Sequence, residues 1–282
     1  MYDLGGKIAV VTGAAGRRGI GRAIATRLAA EGANVVVSDV SPSIGTIRPD
    51  DRAVGWGGLE SVVAEIEDMG RETLGLFADV SDSAQVNEMV RQTLARFGRI
   101  DILVNNAAFR PGRSRVPIVD LEEEAFDEVM RVNVRGTFLV SREVARHMIA
   151  RGGGGKIINM SSVMGKRGVA RYATYSTSKF AVIGFTQSMA QEMAQHGVTV
   201  NAICPGLVDT ERVDFAATSQ APDGVTSDEY RAMLVEDRAS RTPMGRIAQT
   251  DDIARMAAFL ASSESDYVTG LSISVSGGLE MN

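Results

Sequence analysis

The sequence predicts an α/β protein built as a doubly wound parallel sheet flanked by helices, and three observations carry this prediction. Apolar runs of strand length alternate with amphipathic stretches from one end of the chain to the other. Most of these runs are continuous instead of alternating, which is typical of strands buried on both faces of a parallel sheet. A glycine cluster follows the first run and opens the first amphipathic stretch. No repeat or proline-rich linker divides the 282 residues, so we expect one domain over residues 1–282.

Seven apolar runs account for the strands of this sheet. They are Ile8–Thr12, Val35–Asp39, Thr73–Ala78, Ile102–Asn105, Lys156–Met160, Thr199–Ile203 and Leu271–Val275. Between them, apolar residues at helical spacing predict a helix that begins at Ile20 and another across Val86–Leu94. Ser81 and Asp82 precede the second helix and are residues of the kind that cap helix N-termini.

Three stretches do not fit the strand–helix alternation: Ser41–Gly58, Phe109–Val119 and Glu211–Ile247. Each follows the carboxyl end of a predicted strand, where an open α/β sheet has its ligand crevice. Long irregular segments inside a compact domain are often lids or binding loops, and disorder is the alternative. We interpret residues 211–247, with a short helix around Glu229–Asp237, as a substrate lid.

The composition argues against several classes of function. The net charge is −5 and the basic residues are scattered, so we expect neither nucleic acid nor a membrane as partner. A single Cys204 cannot form an internal disulfide, and two distant histidines make a metal site improbable on composition. The chain has no charged-then-apolar leader and no apolar run near 18 residues, and a cytoplasmic location is therefore the expectation.

The glycine cluster predicts a dinucleotide site. It spans Thr12–Gly21 and includes Gly13, Gly19 and Gly21, with Arg18 and Ile20 between and beside them. Glycines allow the backbone to turn sharply and to approach a pyrophosphate, whose charge is then met by the N-terminus of the following helix. Because the glycine cluster lies between a buried strand and an amphipathic helix, it indicates a dinucleotide site more strongly than the glycines alone would.

Asp39 ends the second strand about 20 residues past the glycine cluster, where an acid can accept hydrogen bonds from a ribose. A carboxylate there repels a 2′-phosphate, so the sequence favours NAD. Arg17 and Arg18 leave NADP possible, because either guanidinium could pair with that phosphate. Asp79 ends the third strand and either reaches the adenine or caps a helix.

Tyr175 and Lys179 indicate the chemistry. They are four residues apart, so a helix would carry the phenol and the ammonium on one face. A neighbouring cation favours the phenolate, which makes the tyrosine a general base able to take a proton from an alcohol. Ser162, thirteen residues upstream, completes the trio. A surface Tyr–Lys pair on a helix is the alternative.

Taken together, these residues resemble the short-chain dehydrogenase/reductase family over nearly the whole chain. The matching positions are the glycine cluster, Asp79-Val80, Asn105-Asn106-Ala107-Ala108, Asn133, Ser162, Tyr175, Lys179 and Pro205-Gly206 with Thr210. The resemblance implies a Rossmann-like sheet of about seven strands, a homotetramer or dimer, and catalysis by Asn133, Ser162, Tyr175 and Lys179. It also implies that Val80, Asn106, Tyr175, Lys179 and Val208 contact the cofactor, and that Pro205, Gly206 and Thr210 hold its nicotinamide carboxamide.

Two departures from the family pattern stand out. The family's cluster reads Thr-Gly-x-x-x-Gly-x-Gly, whereas five residues separate Gly13 from Gly19, which enlarges the turn. Ala108 stands where the family has glycine, so we expect an ordinary backbone conformation there.

The leading hypothesis is an NAD-dependent oxidoreductase that interconverts a secondary alcohol and a ketone, without a metal. The alternatives are an NADPH-dependent reductase of carbonyl compounds such as 3-oxoacyl thioesters, and a dinucleotide-binding regulator that has lost its chemistry. The sequence does not identify the substrate. Arg110, Arg113 and Arg115 could meet an anionic substrate, but a solvated arginine-rich loop is the more economical interpretation.

Overall fold

A computed structural model describes residues 2–40, 49–110 and 112–282. Its centre is a parallel sheet of seven strands in the order β3-β2-β1-β4-β5-β6-β7, which confirms the predicted fold class. The strands are β1 Ile8–Thr12, β2 Asn34–Asp39, β3 Thr73–Phe77, β4 Ile102–Asn105, β5 Gly155–Met160, β6 Val198–Pro205 and β7 Ser272–Val275. The order reverses between β1 and β4, the point at which ligands bind in open α/β sheets.

Helices alternate with these strands along the described chain. They are α1 Ile20–Ala30, α2 Pro49–Ala53, α3 Leu59–Asp68, α4 Ser83–Phe97, α5 Glu123–Met130, α6 Thr137–Arg151, α7 Ala173–Met193, α8 Glu211–Gln220, α9 Ser227–Arg241 and α10 Thr250–Ala261. A π-helical turn, Arg131–Gly136, joins α5 to α6.

The core consists of two apolar layers, one on each face of the sheet. The first layer packs α1, α3 and α10 against the sheet through residues such as Ile24, Val62 and Ile253. The second layer packs α4, α6 and α7 against the other face, with Val86 and Val144 among its members. Because both faces are covered, the five central strands β1, β2, β4, β5 and β6 are buried along most of their length, as their continuous apolar sequences predict, whereas the edge strands β3 and β7 are more exposed.

The polar segment predicted as a lid contains more helix than the sequence indicated. In place of one short helix around Glu229–Asp237 there are two, α8 and α9. Side chains at their N-termini explain both: the Thr210 hydroxyl accepts from the Arg212 amide, and Thr226 forms a reciprocal capping box with Glu229.

The other two irregular stretches are only partly described. Residues 41–48 of the predicted loop Ser41–Gly58 lie outside the described residues, and α2 falls within the rest of that stretch. In the stretch Phe109–Val119, residue 111 lies outside the described residues, residues 109, 110 and 112–117 form neither helix nor strand, and a short 3₁₀ turn begins at Ile118. Ala108 has no positive φ, as predicted, since Arg171 is the one non-glycine residue with positive φ in the described part of the chain.

Two further findings concern ligands and surroundings. Across residues 2–40, 49–110 and 112–282, no group of three or more His, Cys, Asp and Glu side chains is arranged to hold a metal ion. None of the described helices combines the length and the apolar character that a membrane crossing requires.

Candidate active site

The glycine loop between β1 and α1 needs glycine at two positions for steric reasons. Gly13 has φ +67°, and a Cβ there would stand 2.7 Å from the Ala107 Cα atom. A Cβ on Gly21 would stand 2.3 Å from the Gly13 carbonyl oxygen. No side chain caps α1 at Gly19, so its first amides remain available to an anion.

The two additional residues of this loop form a turn of their own. The Gly19 amide donates to the Gly16 carbonyl oxygen at 3.0 Å, so Arg17 and Arg18 lie within the turn. Both guanidiniums pair with carboxylates: Arg17 with Asp51 at 2.8 Å, and Arg18 with Asp214. The loop arginines are therefore already charge-compensated.

A carboxylate at the start of the segment 211–247 contacts the same turn. The Arg18 amide donates to Glu211 Oε1 at 2.6 Å. The other oxygen, Oε2, would stand 2.8 Å from a Cβ on Gly16. Glu211 thus places a negative group against the turn that leads into α1, where an anion is favoured.

Asp39 lies at the carboxyl end of β2 and braces the glycine loop. Its carboxylate accepts from the Ala15 amide and from the Val40 amide, each at 2.8 Å. Burial raises the pKa of Asp39, while these two amides and the nearby Arg110 oppose the increase. Trp56 closes the same region by donating from Nε1 to the Ala15 carbonyl oxygen at 2.9 Å.

A cleft of about 660 Å³ runs along the carboxyl edge of the sheet, within the range of ligand pockets. Eight residues predicted to bind a cofactor line it: Gly13, Gly19, Ile20, Asp39, Asp79, Val80, Asn106 and Thr210. The amide of Asn106 donates to the carbonyl oxygens of Thr12 and Gly13 and so fixes the loop against β4. Arg110 and Arg212 also line the cleft.

Asp79 does not cap α4, so that alternative is wrong. The cap is Asp82, which accepts from the Ala84 and Gln85 amides. Asp79 instead accepts from the Ser81 amide at 2.9 Å and pairs with Arg131 at 3.2 Å.

The segment after β6 supplies the other end of the predicted cofactor site. Pro205 is the last residue of β6, and the Gly206 amide donates to the Val275 carbonyl oxygen at 3.1 Å. Val208 forms an isolated bridge with Ala248, which joins the two residues that flank the segment 211–247 on either side. Pro205, Gly206, Val208, Arg18, Gly21, Tyr175 and Lys179 are not among the residues that line the cleft.

Ser162, Tyr175 and Lys179 converge beside this cleft. The 3₁₀ turn after β5 is capped by Ser162, and α7 carries the other two residues one turn apart. Lys179 Nζ lies 5.6 Å from the centre of the Tyr175 ring and donates to the Met160 carbonyl oxygen at 2.8 Å. Ser161, the rival hydroxyl, instead donates to the Lys179 carbonyl oxygen.

The surroundings of Tyr175 make the phenol more acidic. Burial raises the pKa of Tyr175, but the charges of Lys179 and Arg212, a hydrogen bond from Ser162 and the charge of Arg115 outweigh it. The pKa therefore lies below its ordinary value of 10.0. Burial lowers the pKa of Lys179 as well, against the opposing effect of the Tyr175 phenolate. A phenol of lowered pKa can accept a proton from an alcohol or return one to a ketone.

Asn133 lies in the π-helical turn between α5 and α6. Short π-helical turns of this kind are frequent at functional sites. Its side-chain oxygen accepts from the Phe109 amide at 2.8 Å, and its nitrogen donates to Ser178 Oγ at 3.0 Å. Ser178 in turn donates to the Tyr175 carbonyl oxygen at 2.8 Å. Asn133 therefore connects the loop after β4 to the helix that carries Tyr175.

Two residues of the site were missed or misjudged at the level of sequence. Arg212, whose Cζ atom is 5.8 Å from the centre of the Tyr175 ring, was not singled out, because nothing in its polar surroundings distinguishes it. Arg115 was interpreted as a solvated loop residue, yet it is half-buried, with Cζ 4.9 Å from the centre of the Tyr172 ring.

Known proteins resemble this chain over its whole length. A family model described as enoyl-(acyl carrier protein) reductase matches residues 13–280. Sorbitol dehydrogenase of Cereibacter sphaeroides is 39% identical over 98% of this chain and 98% of its own length. The chain belongs to the short-chain dehydrogenase/reductase family. It is therefore an NAD(P)-dependent oxidoreductase that acts on CH–OH groups, which confirms the leading class of function over a non-catalytic regulator.

Two further relatives support this membership. Galactitol 2-dehydrogenase of Agrobacterium fabrum is 39% identical over 98% of both chains. The solved structure of an NAD⁺-bound xylitol dehydrogenase matches with a TM-score of 0.82 at 30% identity, covering 97% of this chain and 99% of its own. The relatives named here are thus dehydrogenases of polyhydric alcohols.

Proposed function

We propose that this enzyme uses NAD to oxidise a secondary alcohol to a ketone, reversibly, with Tyr175 as the acid–base group. The single observation that carries the proposal is the convergence of Lys179 and Ser162 on the Tyr175 phenol at the carboxyl edge of the sheet. When bound, the nicotinamide supplies the hydride acceptor, and the protein supplies position and electrostatics.

Each member of the catalytic set has a distinct part in this proposal. Tyr175 takes the hydroxyl proton of the alcohol, and its lowered pKa increases the fraction of phenolate available for that step. Ser162 hydrogen-bonds the reacting oxygen of the substrate. Lys179 keeps the phenol acidic and holds the nicotinamide ribose. Asn133 fixes α7 through Ser178 and positions a water that connects Lys179 to solvent.

The cofactor site fits a dinucleotide at its pyrophosphate end. Gly13 and Gly21 keep the loop free of side chains that would strike backbone atoms, and α1 begins without a side-chain cap. These are the features that let a backbone approach a pyrophosphate at a helix N-terminus. We assign the pyrophosphate to the loop of Gly13, Arg18, Gly19, Ile20 and Gly21, and the nicotinamide carboxamide to Pro205, Gly206 and Thr210, with Val208 as a further cofactor contact.

Two observations support NAD over NADP. Asp39 presents a carboxylate at the end of β2, where it would repel a 2′-phosphate. Arg17 and Arg18, the residues that could have paired with that phosphate, are paired with Asp51 and Asp214. Asp79, Val80 and Asn106 line the adenosine side of the cleft in this proposal.

Replacement of Tyr175 by phenylalanine tests the chemistry. A panel of polyhydric and simple secondary alcohols would be assayed with NAD at the nicotinamide absorbance, and NADH binding would be titrated in parallel. We expect the Tyr175→Phe variant to lose turnover by about 10² to 10⁴-fold while it binds NADH like the wild type. Unchanged turnover in this variant refutes the assignment.

Cofactor choice is tested by the apparent affinities for NAD and NADP. A tenfold or larger preference for NADP contradicts the proposal and favours the reductase alternative. With NADPH, a panel of 3-oxoacyl thioesters would then be the substrates to assay.

We also propose that the chain forms one domain over residues 1–282, in which the segment 211–247 is the substrate lid. The enzyme is proposed to be a homotetramer or dimer located in the cytoplasm. Support for assembly comes from the C-terminal region, where Tyr267, Leu271 and Met281 expose large apolar side chains. Sedimentation that shows only monomer contradicts the assembly.

A further inference from the structure

Two arginines from separate segments contact the two tyrosine rings at the start of α7. Arg115 belongs to the loop after β4 and Arg212 to the first turn of α8. Their guanidinium carbons lie 4.9 Å from the centre of the Tyr172 ring and 5.8 Å from the centre of the Tyr175 ring, respectively. Both side chains are half-buried. We call Arg115 and Arg212 the arginine pair.

Neither member of the arginine pair forms an ion pair with any residue of the described chain. Arg212 donates to the Phe109 carbonyl oxygen at 2.5 Å, which leaves donors of its fork unused, and the contact of Arg115 is with the face of Tyr172. Arg113, two residues before Arg115, differs: it pairs at the surface with Glu122, Glu124 and Glu128.

The carboxylates nearest to Arg212 in sequence have other partners. Glu211 accepts from the Arg18 amide. Asp209 and Asp214 both pair with Arg231, and Asp214 also pairs with Arg18. These three acids therefore contact groups other than Arg115 and Arg212.

The like charges of Arg115 and Arg212 repel each other, and a bound anion would offset this repulsion. Burial and the charge of Arg212 both lower the pKa of Arg115. The charges of Lys179, Arg212 and Arg115 all lower the pKa of Tyr175, and no carboxylate among residues 2–40, 49–110 and 112–282 forms an ion pair with any of these three side chains. Planar guanidinium forks match carboxylate and phosphate groups by paired hydrogen bonds.

We propose that the substrate carries an anionic group, a carboxylate or a phosphate ester, which Arg115 and Arg212 bind while its hydroxyl or carbonyl oxygen faces Tyr175. This inference deepens the proposed function and rests on it. Because the two guanidiniums lie over the rings of Tyr172 and Tyr175, the anionic group is close to the reacting carbon. A hydroxy acid or a short phosphorylated alcohol has this geometry, whereas an uncharged polyhydric alcohol leaves the arginine pair without a partner.

Matched substrates test the inference on the wild-type enzyme with NAD. Each neutral alcohol is compared with its acid and its phosphate ester, for example sorbitol with gluconate and with sorbitol 6-phosphate, and 1,3-butanediol with 3-hydroxybutyrate. We expect kcat/KM for an anionic member to exceed that of its neutral partner by about 10-fold or more, the effect of one charged hydrogen bond. Preference for the acid or for the ester identifies which anion is used. A best substrate that is neutral overturns the inference.

Variants assign the preference to the arginine pair. In Arg115→Gln and Arg212→Gln, the ratio of kcat/KM for the anionic and the neutral member should fall by about 10- to 150-fold, with partial recovery in Arg212→Lys. The ratio isolates binding, because any change in the acidity of Tyr175 affects both members equally. Arg113→Gln is the matched control and should keep the wild-type ratio. An unchanged ratio in both glutamine variants also overturns the inference.

Inhibition by oxalate and by inorganic phosphate gives a readout that needs no turnover of an anionic substrate. Wild-type activity toward a neutral alcohol should be inhibited competitively by at least one of the two anions, and Arg115→Gln should relieve that inhibition. Failure of the proposed function looks different: no alcohol reduces NAD, or Tyr175→Phe remains active. Activity that depends on Tyr175 without any effect of anions refutes only the arginine pair.

Discussion

The steric demand at Gly21 provides the sharpest test of how the glycine loop is built. A Cβ at this position would stand 2.3 Å from the Gly13 carbonyl oxygen and 2.6 Å from the side-chain nitrogen Nδ2 of Asn106, whereas ordinary contacts begin at 3.4 Å. The Gly13 carbonyl belongs to the backbone and cannot swing aside. In Gly21→Ala the loop must therefore shift by about 1 Å, at a cost of about 1–3 kcal/mol, the range for an extra methyl group in a packed site.

The expected result is a loss of both stability and cofactor affinity. We expect the free energy of unfolding in urea to fall by about 1–3 kcal/mol, and the Kd for NADH to rise by about 5- to 150-fold if the displaced loop must be restored for binding. NADH fluorescence titration and urea unfolding measure the two quantities separately.

Gly184 offers a matched control for the same substitution. It lies inside α7, where a Cβ would meet nothing within 4 Å. Gly184→Ala should increase the free energy of unfolding by about 0.5–1 kcal/mol, because alanine is the better helix former, and should leave NADH affinity unchanged. If Gly21→Ala unfolds and binds NADH like the wild type, the steric account of the loop is wrong.

Three further predictions follow from the site. Alcohol oxidation needs the deprotonated phenol, so kcat/KM should fall as the pH falls through the pKa of Tyr175, which lies below 10.0. Lys179→Met should move this fall in the pH profile of kcat/KM to higher pH, because the ammonium no longer lowers the pKa of the phenol. A pH profile that does not move contradicts this role of the ammonium. Asp39→Ser should raise the ratio of NADP to NAD efficiency by about tenfold or more by removing a like charge from the 2′-phosphate, as steady-state kinetics with both cofactors would show. Asn133→Ala leaves the Phe109 amide without its acceptor and should lower the free energy of unfolding by about 2–4 kcal/mol. Ser178→Ala removes the bonds of Ser178 to Asn133 and Tyr175 but keeps the acceptor of that amide, and it should cost less in the same urea titration.

The strands were predictable because burial on both faces leaves a continuous apolar sequence. β1 and β4 agree with their predicted bounds, and the other five strands differ by one or two residues at one end or both. The helix α8 was missed because its sequence is polar and its apolar face narrow, with only Val213 and Ala217 buried. The conformation at Ala108 followed from a local rule, that residues with a Cβ avoid positive φ, and such rules can be applied to sequence alone.

The predictable part of the site was the part set by local spacing. Tyr175 and Lys179 share a face because they are one helical turn apart, and Asp39 reaches the glycine loop because neighbouring parallel strands end at one edge. The partners of the arginines were not predictable. Arg18 contacts Glu211 across 193 positions of sequence, and Arg212 reaches the loop after β4 across 103. Such pairings depend on where the lid packs, which no local pattern encodes.

The contact between Glu211 and the Arg18 amide has a consequence for the kinetics of the enzyme. If the pyrophosphate binds at the Arg18 amide, as we propose, it competes with this carboxylate for that donor, and the dinucleotide then binds only the fraction of molecules in which Glu211 has released it. The measured Kd is then the intrinsic one divided by that fraction. Glu211→Gln, which weakens the competitor, should tighten NADH binding and speed its association; an unchanged association rate in stopped-flow fluorescence would show that the lid does not compete.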